Sequence, residues 1–321
     1  MIRLLRALAT FAVVLGCTAV SAADWPARPV RIVLPFAAGG GGDQLTRALA
    51  QKLSEAWGQP VVVENRPGAG ATLGTDAVAK APADGYTLLL AAGTITLGPA
   101  AYPKLPYDTV RDFAPITMVA HSPYVLVVNP AVKASSFDEL LRLARAEPGR
   151  LNFASGGNGT LAHLCVELLK QRAGVSVVHV PYKGSAPALN DVVGGQVQAM
   201  FDTPAAVRAF VESQRLRAIA VSSSRRSTLL PALPTIAESG VPGYDVSVWF
   251  GVLAPAGTPR EVLDRVRADT HRAIASPELQ ERMRALGMEP LTTAGDAFGA
   301  LIRDEIAGWG ALVKAAGIRF E

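Results

Sequence analysis

Short apolar strands alternate with amphipathic helices along most of the chain, and this alternation limits the folds open to it. Between the first two predicted strands, residues 43–57 place leucines, alanines and Trp57 on one helical face, and Gly58 marks the C-terminal end of this predicted helix. Alternation of this kind favours parallel sheets with helices on both faces, so the sequence predicts an α/β fold. The predicted strands lie at 30–34, 61–63, 87–91, 124–128, 152–154, 177–180, 197–201, 216–221 and 246–253.

Capping patterns mark where several helices begin. Ser136 with Glu139 forms a capping box, in which the serine side chain and the glutamate satisfy free backbone amides. Thr258 with Glu261 forms another, with Pro259 at the first helical position. This second box opens the first of roughly three C-terminal helices. Other predicted helices lie at 160–173, 186–193 and 204–211.

A run of four glycines at 39–42 separates the first strand from the first helix, which Asp43 is expected to cap. Glycines let the backbone approach a ligand closely, and the helix N-terminus behind them attracts anions. A nucleotide is not expected, because Asp43 and Gln44 stand where a phosphate-binding loop has lysine and serine or threonine. The alternative is a tight strand–helix connection that merely needs glycine.

A second turn of the same type follows the strand at 152–154. Its backbone amides, with the hydroxyls of Ser155 and Thr160, would hydrogen-bond a carboxylate at a helix N-terminus. Alternatively, Asn158 or Thr160 only caps the helix. Both interpretations hold together if a ligand oxygen meets the amides that the cap leaves free.

Catalytic and cofactor signatures are weak. His163 and Cys165 point to different faces of a helix, so they cannot form a dyad with each other. Asp202 follows a predicted strand, where it either accepts a hydrogen bond from a ligand or caps the helix starting at Pro204. The glycines at 68–74 depart from the dinucleotide fingerprint, and no common zinc or hydrolase motif occurs, so no cofactor or metal is expected.

The N-terminus has the features of an export signal. Arg3 and Arg6 precede an apolar stretch and a small-residue cleavage site, which predicts a signal peptide at 1–23 and a periplasmic location. A lipoprotein site at Cys17 is the less favoured alternative. Removal of the signal leaves 29 of the 31 basic residues, against 27 acidic ones, and so a formal charge of +2. A charge this close to zero does not indicate a nucleic-acid-binding protein. About 300 mature residues favour two domains.

Nine stretches together resemble the extracytoplasmic solute receptors of tripartite tricarboxylate transporters, the TctC-like or Bug family. The resemblance covers nearly all of the mature chain, in order. Two departures stand out, since Gln44 follows an all-glycine run and Gln214 replaces a glycine that commonly precedes a strand. The matching stretches lie at 35–40 with Asp43 and Arg47, 65–70, 83–89, 105–108, 125–130, 157–160, 179–184, 233–240 and 254–259.

The resemblance implies a two-domain periplasmic binding protein of type II, a Venus flytrap. Each domain would be a mainly parallel sheet flanked by helices, and two hinge strands would join them. We expect residues 24–124 plus 245–321 to form domain 1 and residues 125–244 to form domain 2. The expected ligand-binding residues are Phe36, Ala37, Gly40, Gly41, Asp43, Thr94, Ser155, Gly156, Asn158, Thr160, His163 and Asp202.

The function implied is capture of a small carboxylated solute, such as a di- or tricarboxylate, an amino acid or an aromatic carboxylate. A monomeric receptor would deliver this solute to the membrane permease subunits of a tripartite transporter. Two alternatives are a sensor subunit of a signalling system and an exported enzyme that uses Asp202 or His163 as a base. A spatial cluster of His, Asp and Ser in the cleft would favour the enzyme.

Overall fold

The computed structural model describes residues 25–102, 104–293 and 295–318. The predicted signal peptide and Cys17 lie outside the described residues. Within them, no helix combines the length and apolar character needed to cross a membrane. The strands are β1 (Val30–Leu34), β2 (Val61–Asn65), β3 (Thr87–Ala92), β4 (Phe113–Pro123), β5 (Val125–Val128), β6 (Asn152–Ser155), β7 (Val178–Pro181), β8 (Ala199–Asp202), β9 (Arg217–Val221), β10 (Ser247–Pro255) and β11 (Glu289–Pro290).

Helices fill most of the intervals between the strands, and short 3-10 segments occur at Ala69–Ala71 and Gly93–Thr96. The helices are α1 (Gly41–Trp57), α2 (Thr72–Ala79), α3 (Gly98–Ala101), α4 (Phe137–Ala146), α5 (Leu161–Ala173), α6 (Ser185–Val193), α7 (Pro204–Glu212), α8 (Arg260–Ile274), α9 (Pro277–Ala285) and α10 (Gly295–Ala316).

The strands form two mixed sheets with helices on both faces. The first has the order β11-β4-β10-β3-β1-β2, with β1, β2 and β3 parallel and β10, β4 and β11 pairing antiparallel. The second has the order β7-β6-β8-β5-β9, with β6 parallel to β7 and β8, and β5 antiparallel to both its neighbours. The expected two-domain α/β fold is confirmed. The sheets are less parallel than expected, because the strands next to the connections between the sheets (β4, β5, β9 and β10) take part in antiparallel pairs.

Two connections join the sheets, and both leave from the edge where the parallel strands end. Pro123 at the end of β4 pairs with Ser247 at the start of β10, beside the end of β3. In the second sheet, Val125 pairs with Asp202 and Val221, at the ends of β8 and β9. The carboxyl-terminal edges of the two sheets therefore face each other across the connections. Ligands of α/β proteins bind at such edges.

The alternation of side chains along each strand builds a core on both faces of each sheet. In β1, Ile32 and Leu34 pack with α1, α8 and α9, whereas Val33 packs on the other face with α2 and α10. The helix α10 belongs to two cores. Its Phe298 and Ile302 pack on the first sheet, and its later residues Trp309, Leu312 and Val313 pack with α5 of the second. One long helix therefore spans both sheets.

Several local expectations are confirmed and others are corrected. The capping box at Ser136 is confirmed, since Ser136 Oγ accepts from Glu139 N at 3.3 Å. The box at Thr258 is wrong: Thr258 Oγ1 donates to Pro255 O at 2.8 Å, and Pro259 itself is the N-cap of α8. Gln214 takes φ +58°, which explains why a glycine suits that position better.

Candidate functional site

The turns that follow the parallel strands approach each other between the two sheets. A Cβ placed on Gly41, at the start of α1, would lie 3.2 Å from Met288 Cε. A Cβ on the neighbouring Gly287 would lie 3.1 Å from Ala205 N, near the start of α7. The beginnings of α1 and α7 therefore flank one short loop, although they belong to different sheets.

The contacts continue from α7 to the turn at 155–160, called the second turn below. Asp202, just before α7, accepts a hydrogen bond from Ser185 Oγ. A Cβ on Gly156 would lie 3.3 Å from the backbone nitrogen of Ser185. Gly41, Asp202 and Gly156 thus belong to one continuous set of contacts across the two sheets. Sequence reasoning missed Ser185, whose only signal is its position beside the 179–184 stretch.

The turn at 36–43, called the first turn below, ends in a helix N-terminus that no described side chain caps. Gly40 is the N-cap of α1, with φ −72° and ψ 171°. The amides of residues 41–43 have no acceptor within the helix, and the macrodipole adds positive potential there. Phe36 packs partly buried against the core, while Ala37 and Gly40 are exposed. This turn offers backbone donors to an anion.

Asp43 does not cap α1 as expected, because the helix begins two residues earlier, at Gly41. Its carboxylate instead accepts from Gly39 N at 2.9 Å, Arg47 Nε at 3.0 Å and Asn65 Nδ2 at 2.9 Å. Burial alone raises the pKa of Asp43, but these hydrogen bonds outweigh it and bring the pKa down to about 2. Asp43 is therefore an ionised brace inside the first turn.

Asn65 is a second brace that sequence reasoning did not identify as functional. Its amide nitrogen donates to Phe36 O at 3.1 Å as well as to Asp43, and its oxygen accepts from Arg47 Nη2 at 2.8 Å. It is the last residue of β2, which runs parallel to β1. The end of one strand thus holds the turn that follows its neighbour.

Thr94 lies in the 3-10 segment that follows β3, at the same edge of the sheet as the first turn. Its Oγ1 is buried and makes no hydrogen bond with any described residue. A buried hydroxyl without a partner costs about 1–3 kcal/mol. Such an atom at the end of a parallel strand is suited to a polar group of a bound molecule.

The hydroxyls of the second turn are engaged within the turn. Ser155 is fully buried, and its Oγ lies 3.0 Å from Gly157 O and 2.6 Å from His179 Nε2. Thr160 Oγ1 donates to Gly157 O at 2.9 Å and accepts from His163 N at 3.2 Å, so Thr160 is the N-cap of α5. The capping interpretation of Thr160 is confirmed.

Two imidazoles lie beneath the second turn. The rings of His163 and His179 stack with centroids 3.7 Å apart and planes within 7°. His163 is buried, and its Nδ1 accepts from Gly159 N at 3.0 Å. Sequence reasoning treated His179 as scattered, since no short-range pattern places a residue of β7 beside one of α5. Cys165 is fully buried in the core around α5, as expected for a packed thiol.

Asp202 does not cap α7, because the N-cap is Thr203 and no described side chain caps that helix. The carboxyl group of Asp202 accepts from Ser185 Oγ and, at 2.7 Å, from Thr203 N. Burial raises its pKa, although these hydrogen bonds oppose the shift. The capping interpretation is therefore wrong, and a hydrogen bond from Asp202 to a ligand stays a prediction.

Metal-ligand clusters are absent from the described residues: no group of three or more His, Cys, Asp or Glu side chains there could hold an ion. The geometry is that of two turns presenting backbone amides and isolated polar side chains.

A family model described as tripartite tricarboxylate transporter family receptor matches residues 45–318.

The chain belongs to that family.

Relatives of known name or structure agree with this assignment. Protein BugT of Bordetella pertussis is 41% identical over the whole chain and 99% of its own length. The structure of R. palustris Rpa4515 with adipate is 37% identical, with a TM-score of 0.75 over 92% of this chain and 99% of that one. MatC from Rhodopseudomonas palustris with bound malate is 31% identical, with a TM-score of 0.70 over 90% and 100%. The protein is a solute-binding receptor of the periplasmic, tripartite tricarboxylate type.

Proposed function

We propose that this receptor captures a small carboxylated solute between two domains and delivers it to the permease subunits of a tripartite transporter. Residues 24–124 plus 245–321 would form one domain and residues 125–244 the other. The observation that carries the proposal is the N-terminus of α1 at Gly40, which no described side chain caps. Free amides at a helix N-terminus bind carboxylates without a basic side chain.

Ligand recognition would combine the first turn with single polar groups. One carboxylate would accept from the amides of residues 41–43, and the unpartnered Thr94 hydroxyl would add a donor. Asp202 would accept from a hydroxyl or amine of the solute. The adipate and malate of the related structures make dicarboxylates the first candidates, and amino acids and aromatic carboxylates follow.

Catalysis is not part of the proposal, although Ser155 and His179 approach each other at 2.6 Å. A nucleophilic serine needs access to substrate and a base oriented by a third group. Ser155 is fully buried, and the nearby carboxylate of Glu167 pairs with Lys170 and His163, not with His179. These contacts favour a structural role for Ser155 and His179 in holding the second turn over a catalytic role.

Capture would proceed by closure of the two domains about the connections near Tyr124 and Val246. Contacts formed only in the closed state raise affinity, and the cost of populating that state lowers it. The closed form would then dock on the permease. We further propose that a signal peptide at 1–23 is cleaved on export to the periplasm and that the receptor works as a monomer.

A charge placed at the N-cap tests the carboxylate site directly. Gly40 has the extended backbone of an N-cap, and a Cβ there would contact nothing within 4 Å. In the Gly40→Asp variant, the new carboxylate caps α1 and competes with the ligand for the same amides. We expect the unliganded protein to gain only about 0.3 kcal/mol over the glycine N-cap and affinity to fall at least about tenfold.

The measurement is a thermal-shift panel on the purified protein with malate, succinate, adipate, citrate, glutamate and benzoate, followed by calorimetric titration of the compounds that stabilise it. Gly40→Ala is the matched control, since it adds a Cβ without a carboxylate and is expected to bind like the wild type. If only uncharged sugars raised the melting temperature, or if Gly40→Asp bound as tightly as Gly40→Ala, the site would be misassigned.

A further inference from the structure

The second turn rests on the two stacked histidines, which come from different elements. His163 is the third residue of α5. His179 lies in β7, which pairs with β6, the strand that leads into the second turn. Their rings are parallel to within 7° at a centroid distance of 3.7 Å. The pair therefore forms a single flat support under residues 155–160.

Each ring holds a different part of the turn. His179 Nε2 lies 2.6 Å from Ser155 Oγ, and that oxygen in turn accepts from Gly157 N at 3.2 Å. His163 Nδ1 accepts from Gly159 N at 3.0 Å. Two of the turn's amides are thus fixed through imidazoles. The His163 contact requires an unprotonated Nδ1, because a nitrogen that carries a proton cannot accept.

The charges around the pair oppose protonation of His179. Burial is the largest cause that lowers the pKa of His179, and the neighbouring His163 and Lys170 act in the same direction, whereas Glu167 opposes the shift; the net pKa is about 4. Glu167 Oε1 lies 3.6 Å from His163 Nε2 and Lys170 Nζ lies 2.8 Å from Glu167. The carboxylate of Glu167 is therefore shared with a lysine and does not compensate two charged imidazoles.

We infer that the His163–His179 pair is a positioning element of the ligand site, in which two neutral rings fix the second turn in the shape that receives a carboxylate. This inference rests on the proposed function and adds to it residues that act through the turn. The rings would not touch the solute. They would determine which amides are already satisfied, at Gly157 and Gly159, and so which donors remain for the ligand.

Substitutions at His179 separate hydrogen bonding from stacking. His179→Phe keeps a flat ring against His163 but removes the nitrogen that contacts Ser155. His179→Gln places an amide at a similar reach and restores a polar partner for the hydroxyl. We expect about tenfold weaker carboxylate binding in His179→Phe and recovery to within about threefold in His179→Gln.

The matched control is His271→Phe, because His271 Nε2 makes the same kind of contact, 2.8 Å from Thr117 Oγ1, beside the first sheet. Its affinity is expected to equal that of the wild type. The pH profile adds a readout that packing alone would not change. As the pH falls through about 4, where His179 of the folded protein takes up a proton, the dissociation constant of the wild type should rise relative to that of His179→Gln. Taking this ratio removes the effect of the ligand's own titration.

Amide hydrogen exchange makes the inference independent of the ligand. In His179→Phe, exchange at Gly157 and Gly159 should become at least about tenfold faster, while His271→Phe leaves it unchanged. If the wild type bound no carboxylate, the proposed function would fail, and the exchange rates would still decide whether the pair shapes the turn. Wild-type affinity and wild-type exchange in His179→Phe would overturn the inference.

Discussion

Ser222 Oγ donates a hydrogen bond of 2.6 Å to the carbonyl oxygen of Val246, just before β10. Ser222 Oγ also accepts a hydrogen bond from Tyr124 N at 2.8 Å, and Ser222 is fully buried. Its backbone joins both segments as well, since Ser222 N donates to Tyr124 O and Ser222 O accepts from Val246 N. One serine therefore ties together the two connections between the sheets.

Loss of this hydroxyl should loosen the connections. In Ser222→Ala, Tyr124 N loses one partner and Val246 O loses another, so we expect about 1–3 kcal/mol lower free energy of unfolding. Small-angle scattering of the unliganded protein should also show a broader distribution of shapes, because the segments between the sheets are less constrained. Urea denaturation gives the first quantity.

Ser213→Ala is the control for that experiment. Ser213 Oγ also donates to a backbone oxygen, Ala209 O, at 2.6 Å, but it is exposed at the end of α7. Its loss should change stability by less than about 0.5 kcal/mol. Equal effects of the two substitutions would show that Ser222 has no special role at the connections.

Thr94→Val tests whether the buried hydroxyl is reserved for the ligand. Since Thr94 Oγ1 has no partner among the described residues, valine of similar shape should leave stability unchanged or slightly higher. Carboxylate affinity should fall about fivefold, the equivalent of one lost hydrogen bond. Melting curves and calorimetric titration measure the two effects.

Thr109→Val provides the matched comparison, because Thr109 Oγ1 is likewise buried without a described partner but lies in the loop before β4. It should leave affinity unchanged. An equal loss of affinity in both valine variants would point to a general effect on folding, and wild-type affinity in Thr94→Val would remove Thr94 from the site.

Asp43→Asn tests the brace in the first turn through its acid dependence. The pKa of Asp43 is about 2 in the folded protein, against an ordinary 3.8. Its contribution to stability is therefore complete above pH 3.8 and is lost as the pH falls toward 2. Wild-type stability should fall more steeply over this window than that of the variant, as followed by denaturant unfolding at each pH. Parallel profiles would contradict an ionised brace.

Asp43→Ala removes the brace at neutral pH. Loss of the contacts with Gly39, Arg47 and Asn65 should lower the free energy of unfolding by about 2 kcal/mol and weaken carboxylate binding, because the first turn is no longer held. A folded variant with unchanged affinity would exclude the first turn from the site.

Glu305 should give the opposite pH dependence. It accepts from Trp249 Nε1 at 3.0 Å and Thr96 Oγ1 at 2.9 Å, and burial raises its pKa to about 7 from an ordinary 4.5. The folded state therefore holds the proton more tightly than the unfolded one. Its contribution is complete below pH 4.5 and is lost as the pH rises through 7. The melting temperature of Glu305→Gln, relative to wild type, should increase across that range; a constant difference would contradict it.

Most elements of the fold were predictable because they follow from local patterns. The strand–turn–helix units around residues 30–57 and 152–173 needed only apolar spacing, glycines and capping residues. The long strand β4 was missed, since its mixed stretch from Phe113 to Pro123 alternates poorly and is paired on both sides by β10 and β11. Pairing partners distant in sequence, and not local propensity, made it a strand.

The candidate site was predictable only in outline. The two turns were identified from their glycines and their positions after strands, but the state of each polar atom was not. Asp43 was expected to cap a helix and instead braces the turn through Asn65, which lies 22 residues away. His179 acquired a role only because β7 places it against α5.

The sequence by itself determined the alternation of strands and helices, the glycine-rich turns that lead into helices and the family, because these depend on neighbouring residues and on motifs read in order. Only the tertiary structure decided which donors and acceptors are already used inside the protein. Thr94 is left without a described partner, whereas Ser155 is held by His179. A hydrogen-bond partner is set by distances of about 3 Å between segments far apart in the chain, and those distances exist only after the sheets have formed.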